Sequence, residues 1–221
     1  SVAVNDQVIV TDNIITGNLA WESGAGIRVN SAQILISRNL VSNNISDWSA
    51  GIYLISASGD VKNNLVINNT ADYQDGAGIT CVDSTVTIVN NVIHGNYCTG
   101  WPVYASSGIY IYGAAIPIIK NNIITQNNYG GICYIGGQAP SFGYNDVYGN
   151  YPVDYTGSAA GTGALSQESL FVEADNDDNP FNNYQLLSGS PCINTGDPDQ
   201  AYFDKDGSRS DMGIYGGPDS F

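Results

Sequence analysis

A chain of 221 residues with 43% hydrophobic side chains can bury one long core, so a single domain is expected. Lysine and arginine total 6 against 21 aspartates and glutamates, and the net charge of −15 excludes nucleic acid and anionic membrane as partners, because phosphate binding needs basic residues. No apolar run approaches the roughly 18 residues of a membrane helix, so no membrane insertion is expected, and an acidic, lysine-poor chain suits an extracellular or cell-surface setting.

The chain opens in mid-repeat at "SVAVNDQVIV", as a processed or excised segment would, and then states one phrase six times. "DNIITGN" ends at Asn18, "RNLVSNN" at Asn44, "NNLVINN" at Asn69, "NNVIHGN" at Asn96, "NNIITQN" at Asn127 and "YNDVYGN" at Asn150. A second phrase follows each of the first five, around Gly26, Gly51, Gly78, Gly108 and Gly131. Two marks sharing one period of about 25 residues indicate a solenoid. Apolar residues near each mark alternate with period two and are rich in Ile and Val, which makes the unit β. Behind the glycines, Ile27/Val29, Ile52/Leu54, Ile79/Cys81, Ile109/Ile111 and Ile132/Tyr134 are expected inward; Arg28, Tyr53, Thr80, Tyr110 and Cys133 are expected outward.

These features predict an all-β fold, a right-handed parallel β-helix of about six coils over residues 1–151, each coil about 4.8 Å above the last. An irregular acidic C-terminal cap over residues 152–221 is expected to pack on the same solenoid. An asparagine at the same bend of every coil is expected to adopt the left-handed region and to hydrogen-bond the asparagine stacked above it. Cys81 and Cys133, expected on opposite sides of a strand two coils apart, are too far apart to bridge, and buried or free thiols are expected for all four cysteines.

The loops between the two phrases carry Trp21, Trp48, Tyr73 and Trp101, which follow the second asparagine of successive coils by 3, 4, 4 and 5 residues. Stacking is expected to align them as an aromatic ladder flanked by Glu22, Asp47, Asp72 and Asp75. Such a surface suits sugar rings or a protein interface; alternatively the rings fold back over their own loops. In the tail, Asp204, Asp206 and Asp211 alternate around Gly207 and Ser208 in "DKDGSRSD". Hard oxygen ligands at that spacing suit calcium as a cofactor, and a turn closed by an Arg209 to Asp salt bridge is the alternative.

The repeats resemble those of secreted right-handed β-helix proteins of the pectin-lyase-like superfamily. The tail phrases "YQLLSGSPCINTGDP" and "DKDGSRSDMGIYGGP" resemble the segment that closes many bacterial members. The resemblance implies a secreted or surface-displayed β-helix of a bacterium or archaeon, often part of a longer exported polypeptide. Lyases of that superfamily need a base beside a uronate carboxylate and a cation to neutralise it. The repeats offer Arg28, Arg38, Lys62 and Lys120, the last three near one register and expected to be solvated, and His94, the only histidine, reads as an outward strand residue. No catalytic residue is assigned. The expected function is a non-catalytic extracellular module with a structural, adhesive or self-assembling role, partnered by an extracellular polysaccharide or by another copy of itself. The alternative is a polysaccharide-binding protein or a calcium-dependent polysaccharide lyase.

Overall fold

A computed structural model describes residues 7–73, 76–100, 106–136, 138–172 and 183–221. In the first coil β1 (Gln7–Thr11), β2 (Ile14–Thr16), β3 (Leu19–Ala20) and β4 (Ile27–Asn30) follow one another, and each begins a separate parallel sheet. The first sheet runs from β1 through β5 (Gln33–Ser37), β9 (Ser58–Lys62), β13 (Thr85–Val89) and β17 (Ile118–Lys120) to β20 (Ser141–Gly143). The second runs from β2 through β6 (Leu40–Ser42), β10 (Leu65–Ile67), β14 (Val92–His94) and β18 (Ile123–Thr125) to β21 (Asp146–Tyr148). A short third sheet holds β3, β7 (Ile45–Ser46), β11 (Thr70–Ala71) and β15 (Tyr97–Cys98). The fourth holds β4, β8 (Ile52–Ile55), β12 (Ile79–Val82), β16 (Ile109–Gly113), β19 (Ile132–Gly136) and β22 (Tyr155–Thr156). Six strands in a column correspond to five full turns, so the fold is the expected right-handed parallel β-solenoid.

Register follows the repeat. Ile79 pairs with Ile52 on one side and Ile109 on the other, and Val66 lies between Val41 and Ile93. Alternate residues of the first, second and fourth sheets therefore point into one core, where Ile34, Ile36, Ile52, Leu54, Ile79 and Ile109 are fully buried. Each such side chain contributes roughly 1.5–3 kcal/mol.

Two asparagine columns line the bends on either side of the second sheet. Asn64 takes the acceptor role toward Asn39, whose backbone N–H and side-chain amide both donate to its Oδ1 at 3.0 and 2.9 Å, and in turn donates to Asn91 Oδ1 at 3.0 Å. The second column runs through Asn44, Asn69, Asn96 and Asn127 to Asn150 and ends on Asp154 Oδ1, 2.9 Å from Asn150 Nδ2. Backbone conformation corrects one expectation: the left-handed residue is the one before each ladder asparagine. Arg38, Asn63, Asn90 and Asn121 have φ between 52° and 55°, as do Asn43 and Asn68 at 54°, while Asn39, Asn64, Asn91 and Asn122 are not left-handed. A left-handed turn just upstream aims the next side chain along the stack, where its amide meets a neighbour.

The described tail lies along the outer face of the second sheet. Tyr184, Cys192, Met212 and Ile214 cover Leu40, Leu65, Val92 and Ile123, the outward-pointing members of their strands. Lys62 and Lys120, expected to be solvated, are half-buried and hold Asp219 and Asp197 at 2.8 and 2.7 Å, and Asn63 Nδ2 donates to Ile214 O and Gly216 O. Arg38 pairs with Asp12 across one coil at 2.7 Å, and its guanidinium holds the Asp12 carboxyl below the usual range.

Asp146 stands in register with Ile123, where the column would otherwise continue aliphatic. Its fully buried carboxylate accepts from Gln167 N at 3.1 Å, Ser169 Oγ at 2.8 Å and Cys192 Sγ at 3.3 Å, which ties two tail segments to the last coil. Burial pushes this carboxyl above its ordinary value of 3.8. The folded state therefore binds the proton more tightly than the unfolded chain. The resulting stability is fully present below the ordinary value and is lost as pH rises through the raised folded one. Acidification from neutral pH is expected to raise the thermal midpoint of the native chain more than that of Asp146→Asn, and equal responses in the two would remove Asp146 from the account.

Candidate functional site

The loop that leaves β11 returns over the fourth sheet, where Thr80 Oγ1 is held between Ser49 Oγ and Gly76 N at 3.0 and 3.1 Å. Thr80, Tyr110 and Cys133, expected to face solvent, are buried. In the first two coils Arg28 and Tyr53 remain accessible, the guanidinium 5.7 Å from the ring centroid.

Trp21, Glu22, Ser23, Asp47, Trp48 and Tyr53 line an open groove of about 390 Å³ there. The backbone ladder of the sheet continues into the loops and sets the spacing of the side chains. Tyr73 N–H donates to Asp47 O at 2.8 Å, which puts Tyr73 over Trp48, and Asp72 N–H donates to Ser46 O at 2.9 Å, which puts Asp72 over Asp47. Trp48 N–H donates to Glu22 O at 3.0 Å, so Trp48 stacks on the Ser23 position and Trp21 falls two residues short of it. The expected ladder is therefore one stacked pair with Trp21 offset, because the first loop, from Asn18 to Gly26, is one residue longer than the second, from Asn44 to Gly51. Trp101 and Asp75 lie outside the described residues.

Trp21, Trp48 and Tyr73 are 83%, 49% and 63% exposed, so these rings do not fold back under their loops. Leu19, Ile45, Tyr97 and Tyr151, each next after a ladder asparagine, are exposed beside them and lengthen the apolar corner. Sequence reasoning did not assign Ser23 or Tyr53 to this site, nor that column. The available signal was the outward place of Tyr53 behind Gly51 and the recurrence of an apolar residue after the second asparagine.

The acidic turn of the tail is built differently from a cation loop. Asp204 accepts from Asp211 N–H and Gly217 N–H, Asp206 accepts from Ser208 N–H and Oγ at 2.8 and 2.6 Å, and Asp211 accepts from Asn194 N–H at 2.7 Å. Burial pushes Asp204 and Asp211 above the usual carboxylate range. Arg209 donates to the carbonyls of Gly196 and Thr195 and lies over the Tyr144 ring, and among the described residues it forms no salt bridge with an aspartate. His94 is half-buried under the tail, its Nδ1 3.0 Å from Thr125 Oγ1 and its ring edge-on to Tyr184.

A family model described as periplasmic copper-binding protein (NosD) matches residues 3–163, and the chain belongs to that right-handed β-helix family. No curated protein and no solved structure matches the chain. The family is periplasmic by description, and no helix among the described residues is long and apolar enough to cross a membrane.

The expectation of calcium is corrected by these findings: the family's metal is copper, and Asp204, Asp206 and Asp211 hold backbone turns together. Nor do the described residues fit copper. No three His, Cys, Asp or Glu side chains among them lie together as a metal set. All four cysteines are buried and dispersed, with no disulfide among them, and burial pushes the Cys81 and Cys133 thiols up to about 12 and about 11, away from the thiolate that ligates metal.

Proposed function

We propose, taking membership of that family as the premise, that this chain is a non-catalytic adhesive module working outside the cytoplasmic membrane, with a polysaccharide laid along its aromatic corner. The observation that carries this reading is the exposure of Trp21, Trp48 and Tyr73 on consecutive loops beside Glu22, Asp47 and Asp72. Flat apolar rings give a sugar its stacking face, and carboxylates accept from its hydroxyl groups. Tyr73 over Trp48 and Asp72 over Asp47, one coil spacing of about 4.8 Å apart, extend the surface along the rod, which suits a polymer more than a single small molecule.

Trp48→Ala is expected to weaken oligosaccharide binding about tenfold. The thermal midpoint is expected to stay unchanged, since half of the ring is already in water. Calorimetric titration against a panel of soluble polysaccharides measures this, and a panel with no binder would defeat the reading.

Self-assembly is a second reading, supported by Ile9 and Ile14, 61% and 67% exposed on β1 and β2, each of which has a strand neighbour on one side only among the described residues. Open strand edges template further pairing, and a head-to-tail contact of that kind propagates. Sedimentation at rising concentration is expected to show growing mass under this reading and a constant monomer without it.

A further inference from the structure

We infer that the groove of the first two coils selects a polymer of cationic amino sugars over neutral and uronate polymers, an inference that rests on the polysaccharide reading above. Its walls are Trp21, Trp48 and Tyr53, and its polar groups are Glu22, Asp47 and the Ser23 hydroxyl, with no lysine or arginine among the lining residues. Arg28 approaches from the rim, where its guanidinium faces the Tyr53 ring. Two carboxylates against that one cation leave the groove negative, within a chain of net charge −15.

A uronate chain would bring one carboxylate per residue to this surface and meet repulsion at both Glu22 and Asp47. A neutral sugar would gain stacking on the indoles and nothing from the charge. An amino sugar gains all three terms: ring stacking on tryptophan, attraction of its ammonium to the indole faces, and an ion pair with each carboxylate. Asp72 lies over Asp47 in the next coil, so the carboxylate row continues past the groove and meets successive ammonium groups along one strand of polymer.

The test compares three probes on the intact chain by calorimetry: a chitosan oligosaccharide, its fully N-acetylated form, and an oligogalacturonate. The chitosan oligomer is expected to bind about tenfold tighter than the acetylated one and to weaken with added salt, and the galacturonate is expected not to bind. A Glu22→Gln/Asp47→Asn double variant is expected to bind both glucosamine forms alike, with circular dichroism unchanged because both side chains lie in surface loops. Galacturonate binding as tight as chitosan, or a preference that survives in the double variant, overturns the amino-sugar inference while polysaccharide binding stands. Failure of the native chain to bind any of the three probes or any polymer in the wider panel removes both.

Discussion

Asn64→Ala is expected to lower the unfolding free energy by about 4 kcal/mol, enough to threaten a fold of ordinary stability. The fully buried Asn64 amide has a partner at every position: it donates to Ile36 O, Lys62 O and Asn91 Oδ1 and accepts twice from Asn39. Alanine would strand the Asn39 N–H where water does not reach, at about 1–3 kcal/mol for an unsatisfied group, while the Asn39 amide keeps Val10 O and Ser37 O; the rest of the loss is the bonds that the Asn64 amide itself donates. Asn68→Ala is the control, because Asn68 is exposed and left-handed at φ 54° and its side chain takes no part in the ladder. Its cost is limited to the conformational preference, about 1 kcal/mol. Urea unfolding of the two variants separates them, and equal losses would mean that the stacked amides are not what holds the bends.

Gly78→Ala is expected to cost about 3 kcal/mol through overpacking. A Cβ there would lie 2.4 Å from Gly108 O and 2.9 Å from Ile93 Cγ2. The coils would have to part where Gly78 N–H donates to Ser107 O at 2.8 Å and Ile79 N–H to Gly108 O at 2.9 Å. The same approach recurs at Gly51 against Gly78 O and at Gly108 against Gly131 O, at 2.3 and 2.1 Å. Space alone is at stake, since Gly78 is not left-handed. Gly17 offers the contrast: at φ +69° a Cβ would meet nothing within 4 Å, so Gly17→Ala is expected to cost only about 1 kcal/mol of backbone strain. Amide exchange in β12 and β16 is expected to accelerate in Gly78→Ala and to stay native in Gly17→Ala.

The solenoid was legible because its period is written twice, in asparagines and in glycines, and because the inward residues alternate cleanly. The same text was misleading about backbone detail. "NNLVINN" has paired asparagines for two separate tasks: Asn63 and Asn68 take the left-handed turn, and Asn64 and Asn69 form the ladders. Where Arg38 or Tyr144 precedes the ladder residue, the turn is the same and only the side-chain type hides it.

The candidate site was half legible. Aromatic and acidic residues recur after the second asparagine, but a one-residue difference in loop length sets Trp21 aside from Trp48, and no count within a single coil shows that Tyr53 lies beside them. The tail was less legible still. "DKDGSRSD" has the spacing of a cation loop, yet its carboxylates accept from nearby backbone N–H groups, a choice set by the path of a chain without periodicity.

By itself the sequence determined the all-β class, the coil period and the inward residues, since each depends on residue type at a repeated interval. Tertiary structure alone decided that the tail lies along the second sheet under the clasp of Asp146, and that outward residues of the fourth sheet are buried in later coils while a groove opens in the first two. Those outcomes depend on contacts between segments that share no period, and a repeat specifies only what lies one coil away.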